Sequence, residues 1–96
     1  MAAYVIALID VKDQQAYVEK YAKHTPPTLA TYGGKGVVRS NNVEGLEGGG
    51  FPGRVVVLEF PDMDSARNWY NSKEYQALVP MRQAAAEGKL LLVEGI

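Results

Sequence analysis

The sequence contains no cysteine and a single histidine, His24. The absence of cysteine excludes a disulfide framework, a thiolate nucleophile and a metal site built on thiolates. One histidine excludes His-rich metal centres. The alternative is a metal site built on carboxylates alone, but no spacing typical of a calcium-binding loop supports it, so we expect no metal. His24 falls near the end of a predicted helix, where it would interact favourably with the helix dipole.

No run of like charges reaches four residues, and ten Lys or Arg residues against eleven Asp or Glu residues leave a net charge of −1. Nucleic-acid binding needs a clustered basic surface that neutralises phosphates, so we expect no nucleic-acid partner.

The apolar start, residues 1–11, lacks a basic flank and is interrupted by Asp10. It is too short to span a bilayer and predicts a strand rather than a signal peptide. We therefore expect a cytoplasmic protein without a membrane partner.

Two glycine-rich segments lack the spacing of nucleotide-binding motifs. Residues 33–36 have no upstream glycine spacing and no Ser or Thr after Lys35, as a phosphate loop requires. Residues 45–50 precede a predicted strand, whereas a dinucleotide fingerprint opens a helix. Both segments are interpreted as turns, and we expect no cofactor. The role of the second segment stays open, although long loops are often functional.

Ninety-six residues, 47% of them hydrophobic, predict one domain over residues 1–96. Apolar runs predict strands over residues 3–11, 28–39, 54–60 and 89–94. Helices are expected after the capping residues Asp13 and Asp62. The first helix should carry an apolar stripe at Val18, Tyr21 and Ala22. It should end near His24, because Thr25-Pro26-Pro27 follows.

The second helical segment is expected to break at Asn71-Ser72 and to kink or restart at Pro80. It should end near Glu87, with Gly88 as the residue after its C-terminus. The resulting β-α-β-β-α-β order predicts an α+β fold of the ferredoxin-like type, an antiparallel sheet with both helices on one face.

Three of the strands are apolar on both faces: residues 5–9, 55–58 and 90–93. Two helices cover only one face of the sheet, so the other face would be an exposed apolar patch, which is rare in monomers. We predict a homodimer that buries this open face against a second copy. The alternative is that loops of the same chain cover it.

Polar residues within the apolar strands are the first candidates for a site. Arg39 and Arg54 suit anion binding, since a guanidinium binds a carboxylate through two hydrogen bonds. Glu47 and Glu59 are the candidates for proton transfer. The alternative is that the Arg and Glu residues form a structural network at a dimer interface. Four aromatic residues are candidates for pocket walls, although such residues more often belong to the core: Tyr32, Trp69, Tyr70 and Tyr75.

Several motifs together resemble the bacterial family called domain of unknown function 1330. They are Tyr32-Gly33-Gly34, Glu47-Gly48, Arg54 to Pro61 (RVVVLEFP), Ala66, Trp69-Tyr70-Asn71-Ser72 and Glu74-Tyr75, with Tyr4-Val5-Ile6-Ala7 and Val93-Glu94-Gly95 at the ends. The resemblance implies a dimeric α/β barrel of ferredoxin-like protomers. It implies no defined activity, and its wider relatives include cofactor-independent monooxygenases, isomerases and stress proteins. The extended Gly48-Gly49-Gly50 loop departs from the family.

We therefore expect a small dimeric protein that binds or transforms a small organic acid or aromatic compound without a cofactor. An enzyme of this type would be oxygenase-like or isomerase-like. The alternative is a structural or regulatory homodimer with no small-molecule site. A cavity of a few hundred cubic ångströms with converging polar groups would favour the first hypothesis.

Overall fold

The computed structural model describes residues 1–96 and contains one four-stranded antiparallel sheet in the order β2-β3-β1-β4. The strands are β1 (Ala3–Val11), β2 (Lys35–Ser40), β3 (Arg54–Phe60) and β4 (Ala86–Glu94). The helices are α1 (Gln14–Lys20), α2 (Thr25–Ala30), α3 (Met63–Tyr70), α4 (Lys73–Gln76) and α5 (Val79–Ala85), with a 3-10 turn at Ala22–His24. The predicted ferredoxin-like order is confirmed.

The two central strands, β1 and β3, occupy the bounds that the sequence predicts. Both are continuous runs rich in β-branched and aliphatic residues, which fit a sheet flanked on each side by another strand. They pair along their length from Ala3 opposite Phe60 to Ile9 opposite Arg54. This pair forms the middle of the sheet, and the less regular β2 lies on one edge.

The helix α1 ends at Lys20, so the predicted end near His24 was wrong. Pro26 and Pro27, expected to stop that helix, lie in the first turn of α2. Proline is tolerated in a first helical turn, because the N–H groups there have no partner within the helix. Thr28 consequently belongs to α2 and its hydroxyl donates to the Thr25 carbonyl, at 2.7 Å. The second strand therefore begins at Lys35, not at residue 28.

The buried stripe of α1 is displaced from the predicted one. Tyr17 and Tyr21 are 2% and 6% exposed, whereas Val18 is 37% exposed. The two tyrosines occupy positions i and i+4, so their rings lie on one helix face with centroids 5.3 Å apart. The aromatic surface of two tyrosines outweighs that of a single valine, and this sets the rotation of the helix.

Gly88 lies inside β4, so its predicted role at a helix C-terminus was wrong. The helix α5 ends at Ala85, and Gly88 does not adopt a positive φ. Instead, Gly88 faces Ile9 in the register of β1 and β4. A Cβ atom at this position would overlap the carbonyl oxygen of Leu8. The glycine therefore permits close pairing of the two strands.

The turn between α2 and β2 uses its two glycines for different reasons. Gly33 has φ of +74°, a left-handed conformation that favours glycine. Gly34 lies so close to the ring of Phe60 that a Cβ atom would collide with it. The Tyr32-Gly33-Gly34 motif is thus explained by a tight turn against the core.

The centre of the core is a group of three aromatic rings. Trp69, Tyr75 and Phe60 are between 0% and 1% exposed. The ring centroids of Trp69 and Tyr75 lie 4.0 Å apart, and those of Trp69 and Phe60 lie 5.4 Å apart. The indole N–H donates to Thr28 Oγ1 at 2.9 Å, so its only polar group is satisfied. The cluster joins α3, α4 and β3 and reaches α2.

Ser72 connects the two helices that carry these rings. Its hydroxyl donates to the Trp69 carbonyl at 2.7 Å and accepts from the Tyr75 N–H at 3.2 Å, which makes Ser72 the N-cap of α4. The predicted break at Asn71-Ser72 is therefore a capped junction. It fixes Trp69 and Tyr75 relative to each other.

The open face of the sheet, defined by the residues opposite the helices, is apolar as expected. The side chains Ala3, Val5, Ala7 and Ile9 of β1 alternate into the core. The intervening Ile6 and Leu8 face the other side. Their neighbours Leu91 and Val93 on β4 are 47% and 43% exposed, and Val38 on β2 is 42% exposed. None of the helices is long and apolar enough to cross a membrane.

We predict that Ser72→Ala lowers the free energy of unfolding by about 1–2 kcal/mol, the usual cost of losing an N-cap. Urea denaturation measures this change. Ser65→Ala is the matched control, since Ser65 lies inside α3 and its side chain makes no hydrogen bond there. Equal destabilisation by both substitutions would contradict the capping role.

Candidate functional site

A cavity of about 370 Å³ lies between the sheet and the segment from α1 to α2. Its lining is mostly apolar: Val5, Ala7, Ile9, Tyr17, Tyr21, Ala22, Thr25, Pro26, Leu29, Gly36, Val37, Val38, Arg39, Arg54, Val56, Leu58, Trp69 and Leu90. No Asp, Glu or His residue contributes to the lining. The cavity volume falls within the range of small-molecule sites.

Arg39 and Arg54 lie on the helix-covered face of the sheet at neighbouring positions. Arg39 on β2 is opposite Val56, and Arg54 precedes Val56 by two residues on β3. Residues in this diagonal relation on one face are close enough for long side chains to meet. The Nε of Arg54 donates to Asn41 Oδ1 at 3.3 Å, which holds the side chain at the start of the loop 41–53.

Neither of these arginines forms an ion pair. The four ion pairs of the chain involve Lys12, Lys23, Lys35 and Arg67. Neither arginine pairs with a Glu residue of the same chain, and the alternative of an Arg–Glu network across a dimer interface stays a prediction. Two guanidinium groups beside an apolar cavity remain available to an anion.

Tyr17 brings a phenol to the same part of the cavity. The Arg54 guanidinium carbon lies 5.4 Å from the centroid of the Tyr17 ring, within the range of a cation–π contact. Burial raises the pKa of Tyr17 above its ordinary value, while the positive charge of Arg54 acts in the opposite direction. The phenol thus keeps its proton at physiological pH, and this hydrogen is available for donation to a ligand.

A second group of polar side chains lies behind the cavity wall. The hydroxyls of Tyr21 and Tyr75 are hydrogen-bonded at 2.7 Å, and Arg82 Nη1 donates to the Tyr75 hydroxyl at 2.8 Å. Burial, followed by the neighbouring Tyr21, raises the pKa of Tyr75 far above its ordinary value. These contacts are internal to the protein and join α1 to α4 and α5.

The whole chain, from residue 2 to residue 96, matches the model of one protein family, "Domain of unknown function (DUF1330)". The chain belongs to this family. No curated protein matches the chain significantly.

Three solved structures share the fold of this DUF1330 protein. RPA0582, a protein of unknown function from Rhodopseudomonas palustris, has a TM-score of 0.79 at 19% identity, covering 99% of this chain and 82% of its own. SnoaB, a cofactor-independent oxygenase from Streptomyces nogalater, has a TM-score of 0.63 at 13% identity, with coverage of 99% and 92%. Rv0793 from Mycobacterium tuberculosis has a TM-score of 0.59 at 11% identity, with coverage of 100% and 96%. At these identities the likeness concerns the fold alone.

The structure brings three of the eight candidate residues to the cavity of this DUF1330 protein: Arg39, Arg54 and Trp69. Tyr75 packs behind Trp69, fully buried in the core. Tyr32 lies near the surface, where its hydroxyl donates to Glu74 Oε2 at 3.4 Å. Tyr70 is 39% exposed and lies outside this cavity.

The two carboxylates proposed for proton transfer lie away from the cavity. Glu59 is on the open face, where Tyr4 donates to its Oε2 at 3.2 Å and Lys35 Nζ lies 3.4 Å from its Oε1. Glu47 is exposed in the loop 41–53. The cavity between the sheet and α1–α2 therefore contains neither of the two carboxylates.

Sequence reasoning missed Tyr17 and Arg82. The signal for Tyr17 was present in the sequence, because Tyr17 and Tyr21 occupy positions i and i+4 and therefore share a helix face. Arg82 had no comparable signal, since its role depends on a tyrosine from another helix.

A second cavity of about 410 Å³ lies beside β4, between this strand and α3 and α5. It is lined by Arg67, Arg82 and Lys89 together with leucines of β4. Arg67 is paired with Asp64 and Arg82 is hydrogen-bonded to Tyr75. These arginines are engaged within the protein, so the first cavity is the stronger candidate for a ligand site.

His24 lies outside the cavity, and its ring Nε2 donates to the Glu19 carbonyl at 3.0 Å. The carbonyl belongs to the last turn of α1, at the helix end where a histidine was expected. No group of three or more His, Cys, Asp or Glu side chains is arranged to hold a metal ion.

We predict that stability falls as the pH rises above about 10, the ordinary pKa of a tyrosine. The folded pKa values of Tyr17 and Tyr75 are raised, so the unfolded chain releases these protons first and unfolding is favoured at alkaline pH. Urea denaturation between pH 8 and 11 measures the slope. Tyr17→Phe and Tyr75→Phe should each reduce it.

Val18→Ala, which changes a partly exposed side chain without a titratable group, is the control and should leave the slope unchanged. Lys12 contributes with the same sign, because its hydrogen bond to Asp10 raises its pKa. Lys12 is retained in every variant, so the differences between variants report the phenols. Equal slopes for Tyr17→Phe, Tyr75→Phe and the unmodified protein would contradict the prediction.

Proposed function

We propose that this DUF1330 protein binds a small organic acid or aromatic compound, without a cofactor, in the cavity between the sheet and α1–α2. The observation that carries the proposal is the pair of unpaired arginines, Arg39 and Arg54, beside an apolar cavity. Arg39 is exposed and Arg54 is half-buried, so both guanidinium groups are accessible at the edge of the cavity. A bound anion would pair with them through charge-assisted hydrogen bonds.

The rest of the cavity fits the apolar part of such a compound. Leu29, Val56 and Leu58 supply aliphatic contacts, and Trp69 adds an aromatic surface. Ligand sites commonly combine an apolar lining with a few polar groups that fix orientation. The alternative of a structural homodimer would have these arginines pair with Glu residues at an interface, but Arg39 and Arg54 lie on the helix-covered face, away from the open face.

Binding is the function favoured over catalysis for this cavity. A general acid or base must lie within hydrogen-bond reach of its substrate, and Glu47 and Glu59 both lie elsewhere. SnoaB shows that the fold accommodates a cofactor-independent oxygenase. A common fold does not transfer an activity, however.

We also propose that the open face is buried against a second copy of the chain. The face presents Ile6, Leu8, Leu91 and Val93 to solvent or to a partner. Of the charged residues on this face, Glu59 is already engaged by Tyr4 and Lys35, so it would enter an interface with these contacts made. Lys89 lies opposite Leu8 on the same face. Apolar patches of this kind mark interaction surfaces.

We predict that the protein is a dimer in native mass spectrometry and that Leu91→Glu converts it to a monomer. Leu91 is 47% exposed, so the charge costs the isolated chain little but would be buried without a partner in the interface. Leu46→Glu is the control, because Leu46 is 89% exposed outside the sheet. A monomeric unmodified protein would overturn the proposed dimer.

We predict that benzoate, as a probe acid, quenches or shifts the fluorescence of Trp69, the only tryptophan, which lines the cavity. Arg39→Met and Arg54→Met should each weaken benzoate binding by about tenfold or more, since a hydrogen bond to a charged group contributes roughly 1.5–3 kcal/mol. Methionine retains part of the apolar stem of arginine.

Arg67→Met is the matched control for this titration. Arg67 is paired with Asp64 and lines only the second cavity, so its loss should leave the affinity unchanged. Weaker binding by Arg67→Met alone would place the site in the second cavity. Absence of binding by the unmodified protein would contradict the proposed function.

A further inference from the structure

The hydroxyl of Tyr17 keeps its hydrogen available to a ligand. The Tyr17 side chain is buried and lines the cavity. The side chain that hydrogen-bonds to its hydroxyl is the Arg54 guanidinium, which donates and cannot accept. The phenolic hydrogen therefore has no acceptor among the side chains of the protein.

The other polar groups of the lining are already engaged. Tyr21 is hydrogen-bonded to Tyr75, and the Thr25 hydroxyl donates to the Tyr21 carbonyl at 3.0 Å. Tyr17 thus joins Arg39 and Arg54 as a third donor available to a ligand. Arg54 lies over the Tyr17 ring, so the phenol and a guanidinium group meet in one part of the cavity.

This distribution of donors limits the ligands that fit. The cavity lining contains no carboxylate that could pair with an amine. Its only cationic groups are Arg39 and Arg54, which occupy neighbouring positions. A second carboxylate on the ligand would lie among Leu29, Leu58 and Trp69, where an ionised group without a partner is strongly disfavoured. An apolar body is favoured there, because its burial releases water from both surfaces.

We propose that the cavity selects monocarboxylic acids with an apolar aromatic or branched aliphatic body, and that Tyr17 is a specificity-determining residue that donates its phenolic hydrogen to the carboxylate. This inference rests on the proposed function and names the ligand class of the same site. Arg39 and Arg54 supply the charge, and Tyr17 adds a neutral donor beside Arg54.

The test compares benzoate, benzamide and terephthalate as probes, with Trp69 fluorescence and isothermal titration calorimetry as the readouts. Benzamide lacks the negative charge, and terephthalate carries a second carboxylate on the opposite end of the ring. Both should bind at least about tenfold more weakly than benzoate, given the contribution of hydrogen bonds to charged groups. Terephthalate binding as tight as that of benzoate would overturn the proposed ligand class.

The role of Tyr17 is tested with Tyr17→Phe, which retains the ring over which Arg54 lies. Benzoate affinity should fall about tenfold, and the ratio of benzoate to benzamide affinity should fall with it, because a hydrogen bond to the charged carboxylate is the stronger one. Tyr32→Phe is the control, since that phenol contacts Glu74 outside the cavity. Its affinity for benzoate should stay unchanged.

The outcomes separate this inference from the proposed function. Unchanged benzoate affinity in Tyr17→Phe, together with weaker binding by the arginine variants, overturns the role of Tyr17 alone. If Tyr17→Phe does not fold, the comparison of the three probes on the unmodified protein still decides the ligand class. Failure of every probe to bind the unmodified protein overturns both the ligand class and the proposed function.

Discussion

The packing of Trp69 against Tyr75 and Phe60 is the contact on which the rest of the structure depends. It joins α3 and α4 to the sheet, and the bond from the indole N–H to Thr28 extends it to α2. Large aromatic groups dominate the burial energy of a small domain. Because this cluster fixes the helices over one part of the sheet, the cavity forms in the neighbouring part, where Ala7, Ala22 and Gly36 contribute little volume.

The cavity combines features that stability alone would not select. Native cores are closely packed, and a gap lined by aliphatic groups costs free energy. Departures from the rules of stable packing concentrate at functional sites. The gap therefore supports the proposal of a ligand site in this region. The residues that line the gap are those that would hold the ligand.

Much of the fold could be predicted from the sequence, because continuous β-branched runs define β1 and β3 without reference to distant residues. The start of α2 could not, since two prolines are compatible with either the end or the first turn of a helix. The same limit explains Gly88, whose role is set by the carbonyl of Leu8 on the paired strand. Contacts between distant residues decided both cases.

Only part of the site could be predicted from the sequence, because the sequence does not show contacts between distant residues. Arg39 and Arg54 stood out as charges in apolar strands, whereas Tyr17 was inconspicuous among polar neighbours. Strand alternation did contain one usable signal. Arg54 and Glu59 are separated by an odd number of positions in β3, so their side chains must point to opposite faces. That spacing alone separates Glu59 from a site that contains Arg54.

The hydrogen bonds among Tyr21, Tyr75 and Arg82 give the two sides of the cavity different stiffness. One wall is held by buried, mutually bonded groups, and its motion requires a concerted opening of α1 from α5. The opposite side borders the loop 41–53, which Arg54 contacts through Asn41 and which contains Gly48 and Gly49 at positive φ. Loop motions of this kind occur in nanoseconds to microseconds, whereas local unfolding is far slower. We therefore expect small molecules to enter and leave the cavity on the loop side.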